Sequence, residues 1–124
     1  MTRQVLIVED SLTQAHQLRA LVAESGDFAI AGTAQTGAEG IRLFEQLRPD
    51  LVLLDVVMPV LDGLSCLRAI RALDSQVKVV LISAVGSVDR TVEEARRLGV
   101  QEIITKPYDP EVVRAALKKI FVGD

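Results

Sequence analysis

Five times along this chain a short run of consecutive apolar residues gives way to a stretch in which apolar residues recur every three to four positions. The first pattern suits a strand buried on both faces and the second an amphipathic helix, so the chain must alternate the two. Gln4 to Val8 is the first run, and Ser11 to Glu24 follows it with Leu12, Ala15, Leu18, Leu21 and Val22 at helical spacing. Phe28 to Ala34, set off by Gly26, is the second strand. Its helix opens with Thr36 and Glu39 in capping-box spacing and aligns Ala38, Ile41, Phe44 and Leu47. Leu51 to Leu54 lies between Pro49-Asp50 and a Met58-Pro59 turn, and Leu61, Leu64, Leu67 and Ile70 mark the third helix. Val77 to Ile82 is the fourth strand. Val88, Val92, Ala95 and Leu98 form a stripe that stops at Gly99, where a left-handed C-terminal residue is expected. Val100 to Thr105 is the fifth strand. Asp109-Pro110 supplies an N-cap and a first-position proline for a last helix through Val112, Val113, Ala116, Leu117 and Ile120.

Five strand-helix units with short connections predict an α/β fold of (βα)5 type: a doubly wound, five-stranded parallel sheet with helices on both faces. Strands one, three, four and five are nearly solid apolar runs, as expected of strands covered on both sides. The 124 residues leave room for a single domain, 1–124, and a chain of this size buries roughly two thirds of its unfolded surface without staples. Cys66 is the one cysteine, which excludes an internal disulfide and predicts a small core residue. The N-terminus turns polar at Thr2, Arg3 and Gln4, unlike a targeting segment, so the expected compartment is a reducing cytoplasm. No apolar stretch approaches the roughly 20 residues of a membrane helix. A net charge of −3, aromatics at 3% and no basic block argue against direct nucleic-acid binding. Proteins or small molecules are the expected partners.

In open sheets of this kind ligands bind beyond the carboxyl ends of the strands. There the sequence places Glu9 and Asp10 after strand one, Asp55 after strand three, Ser83 and Ala84 after strand four, and Lys106 and Pro107 after strand five. Carboxylates brought together resist ionisation unless a cation neutralises them. An oxygen-only set selects a hard cation, and Mg²⁺ is the expected one because it takes one or two carboxylates and leaves room for a phosphoryl oxygen. A carboxylate beside Mg²⁺ and lysine is a nucleophile toward phosphorus. Asp55 stands alone at the end of the central strand and is the candidate acceptor, whereas adjacent Glu9 and Asp10 suit metal binding. Lys106 and the Ser83 hydroxyl complement the equatorial oxygens, and Ala84 is small enough to leave an entrance. Singly, each group is also explained as turn or helix-dipole chemistry; after four of five strands together, they are not.

These motifs resemble the response-regulator receiver domain of two-component signalling, and the length resembles its single-domain CheY-like members. The likeness runs from Val5 to Phe121 and is carried by VLIVED (Val5 to Asp10), LVLLDVVMPVLDG (Leu51 to Gly63), VVLISA (Val79 to Ala84) and ITKP (Ile104 to Pro107). It implies strand order 2-1-3-4-5, a phosphoacceptor at Asp55, and Mg²⁺ held by Asp10, Asp55 and the backbone carbonyl of Val57, with Glu9 acting through water. It implies phosphoryl binding by Ser83 and Lys106, a cis Lys106-Pro107 bond, and a donor phosphohistidine on a sensor histidine kinase or histidine phosphotransfer protein. The output surface it implies is the face of helix four, strand five and helix five, which binds a downstream target protein. Homodimerisation through that face on phosphorylation is left open, as is excision of the domain from a larger DNA-binding or enzymatic regulator. The implied role is a phosphoacceptor that takes part in its own phosphotransfer and slow autodephosphorylation, not a turnover enzyme.

There are two departures from the family pattern. Ile103 stands three before the lysine, where Tyr or Phe usually moves inward, so coupling runs either through a smaller aliphatic move or through the loop from Val85 to Asp89. Tyr108, on the other side of Lys106, is not assigned that role. Val57 and Val85 are apolar where fast-hydrolysing members are often polar, which predicts a long-lived aspartyl phosphate. His16, mid-helix without an acidic neighbour, is expected to be a surface or half-buried side chain, and Glu93, Glu94, Arg96 and Arg97 are a charged face. Three rivals were weighed. A haloacid-dehalogenase-like phosphohydrolase needs a second acid where Val57 stands, a nucleotide- or flavin-binding domain needs a Gly-rich loop where Glu9-Asp10-Ser11-Leu12 stands, and an unphosphorylated docking module usually lacks part of the acidic set.

Overall fold

The computed structural model describes residues 2–55, 63–83 and 89–122, and for residues 89–91 the backbone alone. Its elements alternate as β1 Arg3–Val8, α1 Leu12–Ala23, β2 Phe28–Ala34, α2 Gly37–Leu47, β3 Leu51–Asp55, α3 Gly63–Leu73, β4 Lys78–Ser83, α4 Asp89–Arg97, β5 Glu102–Thr105 and α5 Pro110–Ile120. The five strands are parallel in the order β2-β1-β3-β4-β5. The expected (βα)5 doubly wound architecture and strand order are therefore present.

Consecutive residues of a strand point to opposite faces, and this divides the core in two. From β1, Val5 and Ile7 join Leu18, Val22, Val113 and Leu117 under α1 and α5, while Leu6 and Val8 join Phe44, Cys66, Leu67 and Ile70 under α2 and α3. The continuous apolar run of β1 is thus two alternating sets, one per layer. Gly40 lets α2 lie close to the end of β1: a Cβ there would stand 3.0 Å from Val8.

Capping follows the sequence. Ser11 and Asp109 accept from the N–H groups of Gln14 and Glu111. Thr36 accepts from Glu39, whose carboxylate accepts in turn from Gln35 N–H. Gly99 has φ 78°, and the Lys106-Pro107 bond is cis.

Several expectations need correction. Leu12, Leu47 and Val112, placed on core stripes, are 71%, 38% and 47% exposed; each lies in the first or last turn of its helix. The fifth strand starts at Glu102 because Val100 N–H still bonds Ala95 O to finish α4. In β5 only Ile104 is fully buried, since the strand has a neighbour on one side alone. Asp55 and Ser83 are the last residues of β3 and β4, paired with Ile82 and Thr105, and not loop residues after them. The parts expected of Leu61, Val88 and the Met58-Pro59 turn lie outside the described residues.

Candidate functional site

Among the described residues the only buried polar or charged side chains are Glu9, Asp55 and Ser83, each 1% exposed. All three stand on the carboxyl edge of the sheet. The ladder extends to them: Glu9 N–H bonds Ala34 O at 2.9 Å, beyond the last residue of β1, and Lys106 N–H bonds Ser83 O at 2.8 Å, beyond the last residue of β5. Backbone pairing therefore fixes where the side chains start.

The half-buried Lys106 Nζ donates to Asp55 Oδ2 at 2.7 Å and lies 3.5 Å from Glu9 Oε1. Ser11 N–H donates to Glu9 Oε2 at 3.1 Å. Asp10 is exposed, unlike its neighbour, yet Glu9, Asp10 and Asp55 each bring a carboxylate oxygen within 4.8 Å of the others. Burial, followed by the hydrogen bond and charge of Asp55, pushes the Glu9 carboxyl up to about 7, against the pull of Ser11 N–H and Lys106. Burial alone would lower the Lys106 ammonium, but hydrogen bonding and charge from Asp55, then Glu9, raise it, so the lysine is a fixed cation. Lys106 thus pairs with Asp55 and Glu9, and Asp10 adds a third carboxylate beside them. An all-oxygen donor set with three carboxylates fits a hard divalent cation such as Mg²⁺.

A family model for the response regulator receiver domain matches residues 5–118. The chain belongs to the receiver-domain family. The receiver is 32% identical to the chemotaxis protein CheY of Thermotoga maritima over 120 residues, 97% of this chain and 98% of that one. It is 37% identical to protein CcdB of Bacillus subtilis over 121 residues, 98% of each. A solved chain of the CheX-CheY-BeF3-Mg+2 complex from Borrelia burgdorferi aligns at a TM-score of 0.82 and 32% identity, covering 94% of this receiver and 88% of that chain.

Glu9, Asp10, Asp55, Ser83 and Lys106, singled out in the sequence, come to one edge in the receiver. Val57, Ala84 and Val85 lie outside the described residues. Ile103 is half-buried against the layer under α2 and α3, and Pro107 is exposed. His16 is exposed. Cys66 is fully buried, and burial pushes its thiol up to about 12, so it is core and not a reactive group. No helix among the described residues is long and apolar enough to cross a membrane. Two contributors escaped sequence reasoning. The backbone N–H of Ser11 orients Glu9, a role hidden because the residue type does not encode it. Tyr108, half-buried over the α1/α5 layer, feels Lys106, Glu9 and Asp55, its hydroxyl raised chiefly by burial.

Proposed function

We propose that this receiver is a phosphorylation-controlled switch in which Asp55 takes a phosphoryl group from a phosphohistidine of a sensor histidine kinase or histidine phosphotransfer protein. The observation that carries this reading is a buried carboxylate on the central strand, held by Lys106 at 2.7 Å beside two further carboxylates. An Asp55 carboxylate oxygen attacks phosphorus. The new O–P bond forms as the P–N bond to the donor imidazole breaks, and the electron pair returns to that nitrogen. Lys106, a permanent cation, moves from the carboxylate to an equatorial phosphoryl oxygen, and the Ser83 hydroxyl donates to another. Asp10, Asp55 and the Val57 carbonyl, with Glu9 acting through water, would hold Mg²⁺, which would supply charge to offset repulsion between carboxylate and phosphoryl oxygens.

The chain is consumed and regenerated as a phosphoacceptor and does not turn over substrate. Its modified state alters the face of α4, β5 and α5, including Ile103 and Pro107 near its top, for a target protein. The BeF3 and Mg+2 named with the Borrelia burgdorferi relative support the same chemistry, because BeF3 imitates a phosphoryl group on a carboxylate. The test is intact mass after incubation with acetyl phosphate and Mg²⁺. One added phosphoryl mass that needs Mg²⁺ and is absent in Asp55→Asn is expected. No adduct from a protein that binds Mg²⁺ would point to an unphosphorylated docking module.

A further inference from the structure

Among the described side chains of α4, Ala95 alone is fully buried, and one methyl group is little apolar area to hold a nine-residue helix. Among the described residues, α4 is fastened most fully at its C-terminal end. Val100 N–H bonds Ala95 O at 3.3 Å and Gly99 N–H bonds Arg96 O at 3.0 Å, the paired bonds of a Schellman ending with Gly99 in the left-handed region. The carbonyls of Leu98 and Gly99 are taken by one side chain of α3. Arg71 Nε donates to Leu98 O at 2.5 Å and Nη2 to Gly99 O at 2.9 Å. Nη1 of the same guanidinium donates to Val77 O at 2.7 Å, just before β4, and to Asp74 O at 3.4 Å, just after α3. A planar fork of five donors suits such a junction, and its charge faces the negative end of the α4 dipole. Nearer the carboxyl edge α4 meets α3 through Arg68 and Glu94 at 2.6 Å, a pair with side chains 50% and 32% exposed and therefore weakly held in water.

We propose that Arg71 is a positioning residue that pins the C-terminal end of α4 to α3 and β4, so that this helix responds to the site as a lever pivoting about Leu98 and Gly99. The pin stands on the geometry alone; the lever motion rests on the phosphoacceptor reading of Asp55. The pinned end lies by the start of β4, at the opposite edge of the sheet from Asp55 and Ser83, so displacement entering near the site grows smaller along the helix toward Arg71.

Amide hydrogen exchange across residues 92–101 tests this, in wild type, Arg71→Met and Arg71→Lys, each with and without BeF3⁻ plus Mg²⁺. Without BeF3⁻, Arg71→Met is expected to exchange about tenfold faster at 98–101, with Arg71→Lys between it and wild type. In wild type BeF3⁻ should change exchange at 92–94 and leave 98–101 untouched, whereas in Arg71→Met the BeF3⁻-dependent change should spread into 98–101. A merely structural arginine would lower the melting temperature and leave that pattern where it was. Unaltered protection at 98–101 in Arg71→Met overturns the pin, and a wild-type BeF3⁻ response as large at 98–101 as at 92–94 overturns the pivot. If Arg71→Met does not fold, Arg71→Lys carries the same two readings. Failure of BeF3⁻ to alter any amide near Asp55 would instead strike the phosphoacceptor reading, and the BeF3⁻-free comparison would still decide the pin.

Discussion

At the amino edge of the sheet the Arg3 guanidinium lies 4.2 Å from the Phe121 ring centroid, Lys78 approaches the same ring at 5.9 Å, and Arg71 is spread over four backbone carbonyls. At the carboxyl edge Lys106 pairs with the buried Asp55 and Glu9, and the exposed Asp10 brings a third carboxylate beside them. Charge at the first edge ends on rings and carbonyls that belong to the fold. Charge at the second is left in excess, and excess charge is what a cation and a phosphoryl group can use. The difference marks scaffold against site without any appeal to motif.

Removing Lys106, which pairs with both buried carboxylates, should have the largest effect. Lys106→Ala leaves Asp55 buried beside Glu9 with its counter-charge gone, and urea denaturation at pH 8 is expected to show a loss of about 3 kcal/mol. The loss should shrink at pH 6, where a bound proton replaces the missing charge. An equal loss at both pH values would mean that the lysine acts through packing.

Proton and metal should compete at the same edge. The Glu9 carboxyl, raised from 4.5 to about 7, gives metal-free protein a stabilising contribution that is complete below pH 4.5 and lost as pH rises through about 7. Without metal the protein should therefore melt higher at pH 6 than at pH 8, and Mg²⁺ should raise the melting temperature more at pH 8. Calorimetric Mg²⁺ affinity is expected to rise by about fivefold from pH 6 to pH 7, to reach about tenfold by pH 8 and then to flatten, and Glu9→Gln should remove that slope. A slope that survives in Glu9→Gln assigns the proton to another group.

The lifetime of the aspartyl phosphate tests whether apolar flanks shelter it. Val57→Asn with Val85→Glu should speed loss of the phosphoryl mass by roughly tenfold or more, by orienting an attacking water. Equal decay in variant and wild type would remove the sheltering idea. The smallest effect belongs to the amino edge: Arg3→Met should lower stability by about 0.5 kcal/mol and leave acetyl phosphate labelling unchanged. Altered labelling would break the division between the two edges.

The element order and the five site residues were legible because periodicity identifies strands and the residues following them carry the chemistry. Val5 to Val8 could be assigned as a buried strand from composition alone, and Asp55 placed at the end of the central strand. What stayed hidden depends on the third dimension. Glu9 and Asp10 are equivalent in sequence, yet one is buried and the other exposed, because the ladder continues through Glu9 N–H and ends there. Leu12 and Val112 fit helical stripes, but a first turn overhangs the sheet and has nothing beneath it to cover. Arg71 occupies an ordinary polar position of α3, and its acceptors at Leu98 and Gly99 are 27 and 28 residues away.

The site is mounted on strands of unequal stiffness. Asp55 ends β3, which is flanked by β1 and β4, while Lys106 follows β5, which has β4 on one side and no strand on the other. Deforming a middle strand means stretching two ladders; flexing a border strand strains one. Asp55 is therefore seated on the stiffer part of the frame and Lys106 on the more compliant part. Any change that pulls this pair apart is taken up first by β5, the strand with one ladder to restrain it.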